Sequence, residues 1–255
     1  MLRNVVVFTL LLFCAGCGSA ASNTRPAGSE KDKARQAAEV NVALAQGYMR
    51  QDKLEIAMEK LTKALEQDPG YVSAHTVAGV LYERINQPAQ AEQHYRRAAQ
   101  LQPKNGDVNN NYGAYLCRTG RLEEAAKYFV KALDDPFYKT RDVALTNAGT
   151  CHLQANQADA AERDFREALL SNQNNSEALI QLSRILFGKS DFLRARAFLQ
   201  RFDSLGTPTP DALFLGHNIE LKLGNTREAN EYARRLKAEF PDSDQARQLE
   251  SSTPS

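Results

Sequence analysis

A 34-residue period is the feature of this sequence that most constrains its fold. Alanine recurs at this interval in two series, Ala57–Ala91–Ala125 and Ala64–Ala98–Ala132. Pro69 and Pro103 are separated by the same interval. A repeat of this length accommodates two helices and their turns, and one such hairpin cannot bury its apolar side alone. The period therefore predicts an all-α stack of helical hairpins.

The type of residue at each repeated position has a physical reason. Only Gly or Ala fits where the two helices of a hairpin approach most closely, so we expect Gly79 on a first helix to face Ala91 on the second. Tyr82 and Tyr95 are expected to fill the wider space beside this contact. Pro103 is expected to end the second helix, because proline cannot continue one.

This spacing and these residues resemble the tetratricopeptide repeat (TPR) pattern. The resemblance implies an all-α superhelical solenoid of about six helix-turn-helix repeats, at 38–71, 72–105, 106–139, 142–175, 176–209 and 210–243. The last two repeats match the pattern least well, and the sixth is a candidate terminal cap. Residues 244–255 are interpreted as a C-terminal tail.

The overall composition excludes several classes of protein. The chain has 255 residues, with 32 Lys and Arg against 31 Asp and Glu, and 42% of its residues are hydrophobic. These values argue against a disordered chain and against a polytopic membrane protein. A near-zero net charge also argues against a nucleic-acid-binding domain, so we expect no nucleic acid partner.

The N-terminus has the pattern of a secretory signal. Arg3 is followed by a short apolar run and then by small residues before Cys17. The apolar run is shorter than the roughly 20 residues that a spanning helix needs. We therefore interpret residues 1–16 as a signal peptide.

The end of this signal resembles a bacterial lipobox, although Cys14 stands where the motif usually has Leu. The resemblance implies cleavage before Cys17, lipidation of its thiol and membrane attachment through that lipid. Gly18, rather than Asp, implies sorting to the outer membrane on its periplasmic side. We interpret residues 17–37 as the lipidated Cys and a flexible tether. The alternative is an ordinary signal peptide with an incidental Cys.

A search for chemistry-bearing motifs finds no catalytic set, phosphate-binding loop or metal motif. Cys151-His152 is the only adjacent pair of potential metal ligands, and no second cluster accompanies it. His75 is expected to be packed and His94 to be exposed. The sequence therefore predicts a protein that is not an enzyme, with no cofactor, no metal and no small-molecule substrate.

Cys117 and Cys151 are the only Cys residues after Cys17. They lie at the twelfth and tenth positions of adjacent first helices, so a disulfide is conceivable in the oxidising periplasm. The offset of two positions corresponds to a rotation of about 200°, which we expect to disfavour a bridge unless the helices are shifted. Two free buried thiols are the alternative.

Three segments narrow the family. They are Asn109–Cys117 (NNNYGAYLC), Pro136–Tyr138 (PFY) and Leu145–Gly149 (LTNAG). With the lipobox and the length, they resemble the PilF/PilW lipoproteins of type IV pilus biogenesis. The resemblance implies a pilotin, which binds the pilus secretin subunit and promotes its outer-membrane localisation and multimerisation. The alternative is a TPR lipoprotein that acts as a scaffold for another envelope complex, in cell-wall or outer-membrane protein assembly.

In TPR proteins the first helices line a groove suited to a peptide, which makes a protein the expected partner. Projecting the usual groove positions onto this sequence selects Gln46, Met49, Arg50, Thr76, Val80, Glu83, Asn110, Ala114, Arg118, Thr146, Thr150 and Gln154. Asn is a poor helix former, so the presence of Asn110 and Asn111 in a first helix suggests that their side chains make an interaction that offsets this cost. One could bond a peptide group of the partner, or both could make local side-chain bonds.

Overall fold

The computed structural model describes residues 29–206 and 208–251, which form α-helices joined by short turns and contain no strand. The predicted signal peptide and Cys17 lie outside the described residues. The helices are α1 (Glu30–Arg50), α2 (Leu54–Gln67), α3 (Val72–Arg84), α4 (Pro88–Leu101), α5 (Gly106–Arg118), α6 (Leu122–Leu133), α7 (Arg141–Gln154), α8 (Ala158–Ser171), α9 (Ser176–Gly188), α10 (Phe192–Asp203), α11 (Pro210–Lys222), α12 (Thr226–Glu239) and α13 (Asp244–Ser251).

Twelve of these helices form six consecutive hairpins, from α1 with α2 to α11 with α12. The second helix of each hairpin also packs against the first helix of the next one. This arrangement confirms the predicted TPR solenoid with about six repeats. Its core is a series of small apolar clusters, one following another along the stack.

The glycines of the first helices make room for aromatic rings of the second helices. A Cβ added to Gly79 would lie 2.8 Å from the ring of Tyr95, and one added to Gly149 would lie 2.9 Å from the ring of Phe165. Ala91 is fully buried nearby. In the fifth repeat Ser183 replaces the glycine, and its hydroxyl donates to the carbonyl of Ala195 at 2.9 Å.

The turns inside the six hairpins share one backbone conformation. Each contains a single residue with a φ between 55° and 79°, which lies in the left-handed region. These residues follow the sequence period, with two extra residues before the fourth repeat, and are Asp52, Asn86, Gly120, Asn156, Ser190 and Gly224. Gly, Asn and Asp tolerate this conformation best, so the turn chemistry repeats together with the core positions.

The first helix corrects one prediction. Residues 30–37 belong to α1, not to a flexible tether. Ser29 caps the helix, since its side chain accepts from the backbone N–H of Asp32 while the Asp32 side chain accepts from the backbone of Ser29. This capping box, followed by Lys, Arg, Gln and Ala, favours a helix more strongly than the polar composition favours a linker.

The last helix, α13, lies in the segment assigned to the C-terminal tail and packs on the sixth hairpin. Ala246 and Leu249 are buried in a cluster with Leu213 of α11 and Leu236 of α12. The C-terminal end of the stack is therefore covered by a helix of its own chain.

Candidate protein-binding surfaces

The first helices lie on one side of the stack. Contacts between first helices of neighbouring repeats join α1 to α3, α5 to α7 and α9 to α11. Among the described helices, no comparable contact joins two second helices. The first helices are therefore closer together, as they must be if they line the inner, concave side of a curved stack.

The predicted groove residues fall into three groups by exposure. Five are exposed, namely Gln46, Arg50, Val80, Arg118 and Gln154. Four are half-buried, namely Thr76, Glu83, Ala114 and Thr150. Met49, Asn110 and Thr146 are buried. The structure therefore leaves nine of these twelve side chains wholly or partly accessible on the first helices.

The burial of these three residues contradicts the prediction that they line the groove. Their side chains stabilise the stack instead. Met49 packs in the cluster of the first two repeats. Asn110 accepts a hydrogen bond at 2.9 Å from the side-chain amide of Asn147, which joins α5 to α7. Thr146 donates to the carbonyl of Asp142 at 2.7 Å and accepts from the side chain of Asn175 at 3.0 Å. Projection from a repeat pattern could not detect these bonds, because the bonding partners are not part of the pattern.

The Asn-rich segment makes other bonds within the chain. The side-chain amide of Asn109 donates to the carbonyls of Pro103 and Asn105 at 3.0 and 2.8 Å. The Asn110–Asn147 bond is a contact between repeats rather than a local side-chain bond, and the local bonds near the start of α5 are made by Asn109. These residues fix the start of α5 and its contact with α7.

One charged group on the first helices is already paired. Arg118 donates to both carboxylate oxygens of Glu83 at 2.8 and 3.0 Å, which links the second and third repeats. The hydroxyl of Tyr95 donates to the same carboxylate at 2.6 Å. Burial, followed by this carboxylate, raises the pKa of Tyr95 well above its usual range. Glu83 and Arg118 therefore present a paired, not an open, charge to a partner.

Cys117 and Cys151 form a disulfide, with their Cα atoms 5.7 Å apart. The offset of two positions, which was expected to disfavour a bridge, is the reason the side chains meet. Parallel helices that lie side by side touch through opposite faces, so the partner residue must be rotated by about half a turn. An offset of two positions provides about 200°. The bridge ties the third repeat to the fourth.

A second accessible surface, which the repeat pattern does not predict, lies on α1. Val40 is 60% exposed and Leu44 is 44% exposed. The residues at the same two repeat positions are buried in every later repeat: Ala74, Val108, Ala144, Ala178 and Ala212 correspond to Val40, and Ala78, Tyr112, Ala148, Leu182 and Gly216 correspond to Leu44. In those repeats the preceding hairpin covers the position.

We call the surface formed by Val40 and Leu44 the N-terminal edge. The C-terminal end of the stack is covered by α13, whereas no described helix covers the N-terminal edge. Its signal in the sequence is a pair of large apolar residues at positions where most later repeats have Ala or Gly. The side chains of Val40 and Leu44 are therefore accessible to another molecule at this end of the described residues.

Sites for chemistry are not evident in the described part of the chain. These residues contain no group of three or more His, Cys, Asp or Glu side chains that could hold a metal ion. None of the described helices is both long and apolar enough to cross a bilayer. The concave side and the N-terminal edge are accessible surfaces of the described residues.

Comparison with known proteins agrees with the repeat architecture. The tetratricopeptide repeat family model matches residues 42–105, 81–138 and 146–208, which together make up more than half of the chain. Proteins of this family are scaffold and protein-interaction proteins that bind protein partners.

Three similarities extend beyond single repeats. The type IV pilus assembly protein PilF of Pseudomonas aeruginosa is 29% identical over 242 residues, covering 94% of this chain and 95% of that protein. The crystal structure of PilW, described as a widely conserved type IV pilus biogenesis factor, has a TM-score of 0.77 and 30% identity, covering 84% of this chain and 98% of PilW. The structure of P. aeruginosa PilF has a TM-score of 0.79 and 27% identity, covering 88% and 99%.

Proposed function

The chain belongs to the PilF/PilW family of tetratricopeptide repeat proteins involved in type IV pilus biogenesis, and from this premise we propose that it is a pilotin. In this role it is an outer-membrane lipoprotein that binds the pilus secretin subunit. It promotes localisation of the secretin to the outer membrane and its assembly into multimers, on which pilus formation and twitching motility depend.

The observation that carries this proposal is the extent of the similarity. The match to P. aeruginosa PilF covers nearly the whole of both chains, not only the repeats. Tetratricopeptide repeats alone would support any scaffold role. Structural similarity over 98% of PilW and 99% of PilF, with TM-scores of 0.77 and 0.79, supports the narrower role.

The position of the anchor supports a role close to the membrane. Residues 18–29 separate Cys17 from the start of α1. Twelve residues span at most about 40 Å when fully extended. A lipid on Cys17 would therefore keep the start of α1 within about that distance of the outer membrane. A secretin subunit bound to the solenoid would be held at the site where it must assemble.

Deletion of the gene, followed by fractionation of the secretin, tests the proposal. We expect loss of surface pili and of secretin multimers in the outer membrane. Intact piliation would reject the pilotin role, and a defect in cell-wall or outer-membrane protein assembly would support the scaffold alternative. In a Cys17→Ala strain we expect the protein to leave the outer membrane and the secretin to be misplaced. Normal secretin multimers in that strain would show that the lipid is not required.

Paired substitutions test which surface binds. Val80→Glu with Gln154→Glu alters the concave side, and Val40→Glu with Leu44→Glu alters the N-terminal edge. Leu170→Glu with Leu193→Glu, on second helices, is a matched control because both leucines are exposed. We expect the control protein to retain the secretin in a pull-down assay.

The results of the pull-down assay separate four cases. Loss of binding in the concave variant alone would place the secretin in the groove, and loss in the edge variant alone would place it on α1. Loss in both would indicate a partner that spans the two surfaces. Retention by both variants would contradict binding through the first helices.

A further inference from the structure

One edge of the stack contains the loops between repeats. The first helices begin at this edge and the second helices end there, so the inter-repeat loops follow one another along it. These loops include 68–71, 102–105, 134–140 and 172–175. We call this surface the loop edge. The turns inside the hairpins lie at the opposite edge.

The two most exposed large apolar side chains of the described residues lie at the loop edge. Phe137, in the loop before α7, is 86% exposed, and Leu170, in the last turn of α8, is 85% exposed. The next most exposed is Leu193, at 63%. Single exposed apolar residues are common on protein surfaces, whereas two of them at consecutive positions of one edge indicate a contact surface.

The loop that carries Phe137 is fixed by hydrogen bonds and packing. One carboxylate oxygen of Asp135 accepts from the backbone N–H of Phe137 at 2.9 Å, and the other accepts from the backbone N–H of Gly106 at 2.8 Å. The next residue, Tyr138, is buried against Gly106. An ordered loop therefore presents the ring of Phe137 to solvent, which lowers the entropy cost of a contact made by that ring.

Exposed lysines accompany the aromatic ring. Lys104 and Lys131 line the same surface cavity as Phe137, with a volume of about 590 Å³, and Lys139 follows in the same loop. None of these lysines forms an ion pair among the described residues. Asp134 is the only exposed carboxylate of the loop. Apolar side chains beside free lysines are typical of proteins that lie on a membrane surface.

The N-terminal part of the chain leaves the stack from the same edge. Arg35 of α1 is paired with Asp68, and its guanidinium lies 4.9 Å from the centroid of the Tyr71 ring. Asp68 and Tyr71 belong to the first inter-repeat loop. Because α1 begins at Glu30, before Arg35, the segment that connects Cys17 to α1 starts from the loop edge.

We propose that the loop edge lies against the outer membrane, with the side chains of Phe137 and Leu170 inserted at the boundary between lipid headgroups and acyl chains. This inference rests on the lipid that the proposed function places on Cys17. The loop edge would then be a second contact with the membrane, made by the folded domain itself.

The dimensions of the chain allow both contacts at once. Phe137 precedes α7, which lies three repeats along the stack from α1. At a helix spacing of about 8–10 Å, this separation is about 30 Å. The segment between Cys17 and α1 spans up to about 40 Å, so the lipid and the ring can reach one bilayer together. The first helices would stand on the membrane, and the concave side would open sideways, towards a secretin subunit in the same membrane.

Single tryptophans in the lipidated full chain test the proposal, because the sequence contains no Trp. Phe137→Trp and Leu170→Trp place the probe at the loop edge, and Leu193→Trp places it near the start of α10, at the opposite edge. The proteins are reconstituted in vesicles of phosphatidylethanolamine and phosphatidylglycerol. We expect lipids brominated on their acyl chains to quench both loop-edge probes more strongly than the control. Equal quenching of all three probes would overturn the proposal.

A second substitution tests whether the ring of Phe137 drives the contact. Phe137→Ser in the Leu170→Trp protein should lower the ratio of docked to undocked protein by about tenfold, because burial of a Phe side chain favours the docked state by at least about that factor. Leu193→Ser in the same protein should leave the quenching unchanged. Both substituted side chains are exposed, so the fold should be retained, which circular dichroism checks. Unchanged quenching after Phe137→Ser would contradict insertion of the ring.

The outcomes separate this proposal from the pilotin role. Mass spectrometry shows whether Cys17 carries lipid, and absence of the lipid would reject the anchor together with the docked edge. A lipidated protein whose loop-edge probes are not quenched would reject the docked edge alone. If Phe137→Ser abolished secretin retention while those probes stayed unquenched, the loop edge would be a protein contact and the proposal would be wrong. Leu170 remains a control in the pull-down assay, because that assay contains no membrane.

Discussion

The close contact between Gly106 and Tyr138 allows a quantitative test of the packing. Gly106 is buried at the start of α5, and Tyr138 lies in the loop before α7. A Cβ added to Gly106 would lie 2.4 Å from Cγ and 2.6 Å from Cβ of Tyr138. These atoms are at the root of the side chain, so rotation of the ring cannot relieve the clash. Gly106→Ala must displace the loop itself.

We expect Gly106→Ala to lower the free energy of unfolding by about 1–3 kcal/mol, as overpacking of a well-packed core does. The gain in helix propensity from Gly to Ala is at most about 1 kcal/mol and is smaller at the first position of a helix. For a domain of this size the change corresponds to a fall in Tm of about 2–4 °C per kcal/mol.

Urea denaturation followed by circular dichroism measures this change, with Gly188→Ala as the matched control. No atom lies within 4 Å of a Cβ added to Gly188, so the control should be neutral or stabilising by up to about 1 kcal/mol. Tyr138→Ala removes the clashing ring but keeps Cβ, so Gly106→Ala should cost less in that background. If Gly106→Ala is as harmless as Gly188→Ala, the packing argument is wrong.

Three further predictions concern other parts of the solenoid. Ser190→Gly should stabilise the protein by roughly 0.5–1 kcal/mol in urea denaturation, because Ser190 has a φ of 62°. Replacing both Cys117 and Cys151 by Ser should cost about 2–4 kcal/mol, and the effect of dithiothreitol on stability should disappear in that variant. Burial raises the pKa of the Asp203 carboxyl above its ordinary value of 3.8, despite its hydrogen bond from Tyr232. The native state therefore binds the carboxyl proton of Asp203 more tightly than the unfolded chain does, so the free energy of unfolding falls as the pH rises from the ordinary pKa through the raised one. Asp203→Asn should remove this contribution to the pH dependence of the free energy of unfolding, measured from about pH 4 to about pH 7. The same pH dependence in the variant and the wild type would contradict the prediction.

The positions that repeat along the chain were predictable because they depend on contacts within one repeat or between equivalent repeats. Gly79, Ala91 and Tyr95 follow from the distance at which two helices can pack. The turn at Gly120 follows from the need for a left-handed residue after a helix. The same local geometry recurs wherever the pattern recurs.

Predictions about single side chains were less successful, because a repeat pattern averages over neighbours that differ. Asn110 and Thr146 occupy usual groove positions, yet both are buried, and they bond to Asn147 of the following repeat and to Asn175 at the start of α9. The polar composition of residues 30–37 predicts a tether, whereas the capping box at Ser29 starts a helix there.

Periodicity in the sequence alone was sufficient to establish an all-α stack of about six hairpins, because the constraint on residue size repeats at a fixed interval. The tertiary structure determined which side chains contact each other between particular helices and which surfaces are exposed at the ends of the stack. It brought Cys117 to Cys151 through opposite helix faces, joined His75 to His94 across a hairpin, and left Val40 and Leu44 uncovered. The reason is that these features depend on the relative rotation of neighbouring helices and on the presence or absence of a preceding hairpin, neither of which any single repeat encodes.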